Sequence, residues 1–303
     1  MRDFNFWWRL LRPHTLTASI VPVFVGSAYA FYDGCDFHFS LFIAMLIASM
    51  LIQVATNLFN EYYDYVRGLD TDQSVGISGT IVHDGASPKF VLSMALLCYL
   101  IAALLGVYIC IKTSWILAFI GALCMLIGYL YTGGPFPISA TPFGEIFAGG
   151  FLGTGVICIS FYIQTGFVSA DCVLISFPIF ILIGLILTAN NLRDRVGDTI
   201  GGRHTLAILL GHNGTVKFMA ACFAICYLFP IFLLLKGFPP TILLPLLSIK
   251  MPLTVLRKFK DENQTPKQMM PAMGMTAKTN SRYGLLYALG IFSSAFFWII
   301  GLI

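Results

Sequence analysis

The chain has 303 residues, of which 58% are hydrophobic and 11% charged, with a net charge of +4, whereas soluble proteins carry roughly 25% charged residues. With a mean hydropathy of +0.84 and apolar stretches along almost its whole length, it is not read as a soluble globular protein but as a polytopic membrane protein. The eight cysteines are scattered singly, mostly in apolar segments, so no zinc or disulfide framework is expected.

The N-terminus, MRDFNFWWRLLRPHTL, shows no small-residue cleavage site after a short apolar core, so no signal peptide is read. A helix needs about 20 apolar residues to cross a bilayer. Nine segments qualify: 15–32, 39–63, 89–111, 115–131, 143–163, 172–193, 214–235, 239–256 and 283–302. The eighth is interrupted by Pro245, Lys250 and Pro252. Only helices or closed barrels satisfy their backbone in lipid, and no strand alternation is present. The expected fold is therefore an all-α polytopic bundle of about nine transmembrane helices, read as a single domain over 1–303.

Nine spans place the N-terminus and alternate loops on one side of the membrane. That side collects fifteen lysines and arginines, among them Arg9, Arg12, Arg67, Arg193 and Arg203, against Lys112 and Lys236 on the other. Positive residues concentrate in cytoplasmic loops, so the N-terminus is expected inside and the C-terminus outside a cell membrane. No nucleic-acid partner is expected.

At the cytoplasmic end of span two the sequence reads NLFNEYYDYVRGLDTD. Asn57, Asn60 and Asp64 are three and then four apart, so at about 100° per residue they share one helix face, which Gln53 continues inward. The end of span six reads NNLRDRVGD, where Asn191, Asp194 and Asp198 repeat that spacing. One such stripe is readable as an ordinary solvated helix end. Two on the same membrane side are not easily read so, because carboxylates at helix C-termini face the unfavourable end of the macrodipole. Opposed carboxylate clusters call for cations, and an oxygen-only ligand set favours Mg²⁺ over zinc or copper. Arg67, Arg193, Arg195 and Arg203 stand beside the acids. Carboxylates, a hard cation and guanidinium groups at one membrane edge suit a diphosphate.

These paired motifs resemble those of the UbiA superfamily of intramembrane aromatic prenyltransferases, as Asn60-x₃-Asp64 continuing to Asp70, and Asp194-x₃-Asp198. The similarity is closest to its menaquinone branch, the 1,4-dihydroxy-2-naphthoate polyprenyltransferases. RPHTLTASIVPVFVG, GISGTIVHDGASP, YTGGPFPIS, FGEIFAG and NNLRDRVGDTIGGRHTLAILLG extend it over the whole length. The resemblance implies a helical bundle around a central cavity open to lipid. It also implies Mg²⁺-dependent transfer of a polyprenyl group from polyprenyl diphosphate to an aromatic acceptor, with loss of CO₂ in the menaquinone branch. Asp64 and Asp194 would then be catalytic metal ligands, with Asn60, Asp198 and Asp70 completing the shell. Diphosphate contacts would come from Asn57, Arg67, Asn191, Arg193 and Arg203. Asp72 matches less closely. Where many members read Gly-Lys-Arg-Thr, this chain has Gly202-Arg203-His204-Thr205, a planar fork in place of a point charge.

Such chemistry generates a carbocation that must be shielded from water. The 64–89 and 194–214 segments are expected to cap the cavity. Tyr62, Tyr63, Tyr129, Tyr131 and Phe136 are candidates to face the cation; Tyr131 is singled out as catalytic because YTGGP breaks span four on the motif side. His14 and His83 are candidate proton or carboxylate handlers. Other acceptors, 4-hydroxybenzoate or a homogentisate-type acid, stay open. A cation-coupled transporter is the alternative from another class, disfavoured because both acidic stripes lie at one membrane edge rather than at the midplane.

Overall fold

A computed structural model describes residues 4–70 and 79–299, with side chains as far as 295. Among the described residues the regular structure is entirely helical, as lipid requires of segments this apolar. The α-helices are α1 Phe4–Leu11, α2 Thr17–Tyr32, α3 Phe39–Val66, α4 Thr80–His83, α5 Pro88–Lys112, α6 Ile116–Leu130, α7 Gly144–Ala148, α8 Val156–Thr165, α9 Ala170–Ile200, α10 Leu206–Leu235, α11 Lys250–Lys258 and α12 Pro266–Ile299.

Within the described residues each of the nine apolar segments overlaps at least one helix of this series. Six units are long and apolar enough to cross a membrane: α3, α5, the α7–α8 run Gly144–Thr165, α9, α10 and Pro240–Lys258. A seventh arises if Phe4–Thr15 and α2, bent by 43° at Leu16, are taken together. Among the described residues, length and composition thus mark six or seven crossings beside the nine expected. One reason is α6, which has only 15 residues. The eighth segment is counted but is not one α-helix: Pro240–Ser248 is wound as a 3₁₀ helix before α11 begins, because proline lacks the donor an α-turn needs.

Two predicted boundaries move. The helix of span six runs on to Ile200, so the second expected capping loop shrinks to 201–205. The helix of span seven starts earlier, at Leu206, and breaks at Gly211, whose φ of 66° suits glycine.

One buried proline is compensated by a tyrosine of α12. Pro230 leaves the Cys226 carbonyl without its helical partner, and the Tyr283 hydroxyl donates to it at 2.7 Å. The Tyr287 hydroxyl donates to the Ile175 carbonyl of α9 at 3.1 Å, next to the Leu174 carbonyl that Pro178 leaves without its helical donor. Helix α9 is the most enclosed of the spans. The π-helical turn Gly149–Gly155, between α7 and α8, lies directly on its backbone, since a Cβ on Gly153 would stand 2.8 Å from the Phe180 Cα.

The helices enclose a cavity of about 960 Å³ lined by α3, α5, α6, the α7–α8 run and α9. At about 1.5 Å per residue, Met45 and Asp64, both lining it from α3, stand roughly 28 Å apart along the helix. All eight cysteines are free.

Candidate functional site

The cavity is polar at one end and apolar along the rest. Its apolar walls include Met45, Ala102, Gly106, Leu117, Ile120, Phe151 and Ile159. Its polar end is where the C-terminal turns of α3 and α9 come together, and it holds Asn57, Asn60, Asp64, Asp70, Asn191, Arg193, Asp194, Asp198 and Arg203. The helical spacing read in the sequence thus does put both stripes on cavity-facing surfaces.

The stripes meet through an arginine. Arg203 donates from Nη2 to Asp64 Oδ1 at 2.7 Å and from Nη1 to Asp198 Oδ1 at 3.1 Å. Its loop is folded back so that its own N–H bonds the Asp198 carbonyl at 2.9 Å. Burial works against the Arg203 charge, but Asp64 and Asp198 more than offset this and hold its pKa above the ordinary arginine value. Asp194 is held locally instead, gripped by both forks of Arg193, with Nε to Oδ1 at 2.6 Å. Asn60 donates to Asp64 Oδ2 at 3.1 Å, and Asn57 donates to the Thr15 hydroxyl at 2.8 Å.

Asp70 follows α3 and lines the cavity mouth. Burial, then the charge of Asp64, push its carboxyl up to about 6 despite the opposing pull of Arg12 and Arg203. Asp72 lies outside the described residues. Among the described residues no three carboxylate, imidazole or thiol groups converge on one point; the Arg203 guanidinium sits between the acids instead. The groups around it, from Asn60, Asp64, Asp70 and Asp198, offer only oxygens as ligands, the donor chemistry of a hard cation. Two carboxylates close enough to share one guanidinium are close enough to share such a cation when the guanidinium turns away.

Several expected residues stand elsewhere. Arg67 does not line the cavity: it donates to the Gly134 carbonyl at 2.7 Å and to the Thr132 carbonyl, and lies over the Tyr63 ring. Its charge thus pins the loop after α6 rather than facing a ligand. Tyr63 and Tyr129 bond each other at 2.7 Å and pack with Tyr62 against the core between α1, α3 and α5. Phe136 is 88% exposed. Of the aromatic candidates, Tyr131 does line the cavity, and its hydroxyl is buried with no hydrogen-bond partner among the described residues. His83 lines the mouth, while His14 and His204 do not.

Four residues at this end were not singled out from the sequence. Arg12 enters the cavity and donates to Asn60 Oδ1 at 3.3 Å and Glu61 Oε2 at 3.4 Å. Its backbone is left-handed (φ 48°) although it precedes a proline, a conformation sustained only where surroundings over-determine it. Glu61 is 1% exposed and is bonded by the Thr80 hydroxyl and the Ile81 N–H, which ties α4 over the mouth. Asn190 also lines the cavity, four residues before Asp194, which is itself four before Asp198; that four-and-four spacing was the signal available. Glu145 bonds Asn191 from behind at 2.9 Å.

A membrane bundle with an arginine- and carboxylate-lined end on a long apolar cavity is built to hold a molecule with a charged head and a hydrocarbon tail. This chain belongs to the UbiA prenyltransferase family, whose model matches residues 19–276. It is 50% identical over 291 residues, covering 95% of this chain and 93% of the relative, to the 1,4-dihydroxy-2-naphthoate octaprenyltransferase of Bacillus subtilis. Among solved structures it resembles the apo form of a UbiA homologue from Aeropyrum pernix K1, with a TM-score of 0.67 and 16% identity over 96% of this chain and 98% of that one. It also resembles a UbiA homologue from Archaeoglobus fulgidus bound to DMAPP and Mg²⁺, with a TM-score of 0.62 and 16% identity over 95% of this chain and 99% of that one. At that identity the two structures speak for the fold.

Proposed function

We propose that this protein is an aromatic prenyltransferase of menaquinone biosynthesis. It transfers a polyprenyl group from polyprenyl diphosphate to 1,4-dihydroxy-2-naphthoate, with Mg²⁺ as cofactor and release of the ring carboxylate as CO₂. The observation that carries the reading is the polarity of the cavity, in which two acidic stripes and Arg203 meet at one end of a long apolar chamber. The B. subtilis relative, whose name gives the same acceptor, and the Mg²⁺-bound homologue support it.

Asp64, Asp198, Asn60, Asp70 and Asp194 would hold Mg²⁺, which when bound neutralises diphosphate charge and stabilises the leaving group. Arg203 would turn from the carboxylates to the diphosphate, and Arg193 and Arg12 would take remaining charge. As the allylic C–O bond breaks, diphosphate leaves and a delocalised cation remains in the apolar chamber, which excludes water. Tyr131 stands at the junction of polar and apolar ends and would offer its ring to that cation. The ring carbon bearing the carboxylate attacks. A C–C bond forms to the prenyl group, the bond to the carboxylate breaks, and its electron pair restores the aromatic ring as CO₂ departs.

The same reading takes residues 1–303 as one unit in the cell membrane, with the N-terminus and site cytoplasmic and the C-terminus outside. The fifteen-to-two division of basic residues supports this orientation. The test is an assay of purified protein in lipid with Mg²⁺, a polyprenyl diphosphate and a panel of acceptors that includes 4-hydroxybenzoate. Prenylated naphthol with stoichiometric CO₂ is expected. Product from another acid alone, or none with any acceptor, would overturn the assignment.

A further inference from the structure

Glu145 is a carboxylate without an obvious reason to be where it is. It is 6% exposed, and no lysine, arginine or histidine pairs with it among the described residues. It stands in the first turn of α7, where the helix N-terminus tolerates negative charge. Its Oε1 accepts from Asn191 Nδ2 at 2.9 Å, while Oε2 is enclosed and has no partner among the described residues. Burying a carboxylate with no countercharge and a single side-chain partner, a neutral amide, is unfavourable, so the arrangement calls for a use.

The use follows from what each group offers. The Asn191 amide faces Glu145 Oε1 with its nitrogen, so its Oδ1 points the other way. Asn191 lines the polar end of the cavity, and its Oδ1 takes no hydrogen bond within the described residues. An oxygen so presented repels phosphate oxygens and suits a divalent cation or its water. The carboxylate is also rigidly mounted. A Cβ on Gly184 of α9 would lie 3.2 Å from the Glu145 carbonyl, and Gly153 presses on Phe180 one turn further along. Helices α7 and α9 therefore cannot slide past each other without breaking the bond.

We infer that Glu145 is a positioning residue of the second acidic stripe. Acting through Asn191, it turns that asparagine into an oxygen ligand for the divalent cation that accompanies the diphosphate. This assigns Asn191 to the cation rather than to the diphosphate, and it rests on the proposed prenyl-diphosphate chemistry. It also distinguishes two kinds of buried acid in the site: those that meet ligand themselves and one that aims a neighbour.

The experiment measures Mn²⁺ affinity by electron paramagnetic resonance in lipid-reconstituted protein saturated with geranyl S-thiolodiphosphate, alongside thermal unfolding. Outer ligands of this kind typically change metal affinity by about 10–100-fold, and Glu145→Ala is expected to weaken Mn²⁺ by that factor. Asn191→Ala should do the same, and the double variant should lose no more than either alone. Glu145→Gln keeps an acceptor oxygen for the Asn191 amide, so it should bind Mn²⁺ within about threefold of wild type on that basis. Wild-type Mn²⁺ affinity in folded Glu145→Ala would overturn the inference. So would a Gln variant as damaged as the Ala variant, because the charge and not the hydrogen bond would then matter. Failure of the wild type itself to bind Mn²⁺ with the analogue would instead overturn the proposed function.

Discussion

Asp64 closes the first stripe and Asp194 is the middle member of the second, and the two carboxylates are held differently. Asp64 has a side chain 14% exposed and is bonded by Arg203, 139 positions away in sequence and itself 18% exposed. Asp194 is 37% exposed and is gripped by the residue beside it. The first stripe is thus woven into the tertiary structure, while the second carries its own counter-charge. Equivalent chemistry is paired here with unequal structural duty, so substitutions at the two positions should cost similar activity and different stability.

The largest effects are on turnover. Asp64→Asn and Asp194→Asn should each lower Mg²⁺-dependent prenylation by at least about 100-fold, the scale of losing a group that stabilises developing charge. Retained activity in both would remove the metal–diphosphate assignment. The stability comparison comes next. Asp64→Asn strips a charge-assisted bond from a largely enclosed arginine and should cost about 1–3 kcal/mol, whereas Asp194→Asn, at a carboxylate 37% exposed and paired with its chain neighbour, should cost less than about 1 kcal/mol. Equal losses in thermal unfolding would erase the distinction.

Arg203→Gln should separate the two roles of that arginine. With the guanidinium gone from between the acids, Mn²⁺ should bind the diphosphate-free protein more tightly, while prenyl diphosphate binds more weakly, each by about 10-fold if one charge-assisted contact is involved. Titration calorimetry with each ligand alone checks both signs. The smallest effect is the pH dependence from Asp70. Its carboxyl keeps its proton up to about 6, against an ordinary 3.8. The ligand-free fold therefore gains from this group below 3.8 and loses that gain as pH rises through about 6. Cation binding has the opposite dependence, since the proton must leave, so apparent Mg²⁺ affinity should rise through pH 6 and the rise should vanish in Asp70→Asn.

Much of the polar end is legible from spacing, because a helix fixes which side chains share a face. Asn57, Asn60 and Asp64 lie on the cavity for that reason, as do Asn191, Asp194 and Asp198. What joins the stripes was harder to read. Arg203 was expected to meet phosphate; that it also bridges Asp64 to Asp198 depends on how its loop folds back after Ile200. Arg12 and Glu145 reach the site from distant segments, and nothing local in RPHTL or FGEIFAG says where their side chains go. Arg67 shows the converse: a basic residue beside the motif whose guanidinium is taken up by two carbonyls of the 132–134 turn. Apolar runs also do not reveal that α6 is only 15 residues long or that Pro240–Ser248 winds as 3₁₀.

The central claim is that both stripes serve one diphosphate. Calorimetric titration of the lipid-embedded protein with geranyl S-thiolodiphosphate in Mg²⁺ tests it directly. One analogue should bind per chain in the wild type, with binding lost in Asp64→Asn and equally lost in Asp194→Asn. Wild-type affinity in either variant would show that the two stripes do not act as a single site.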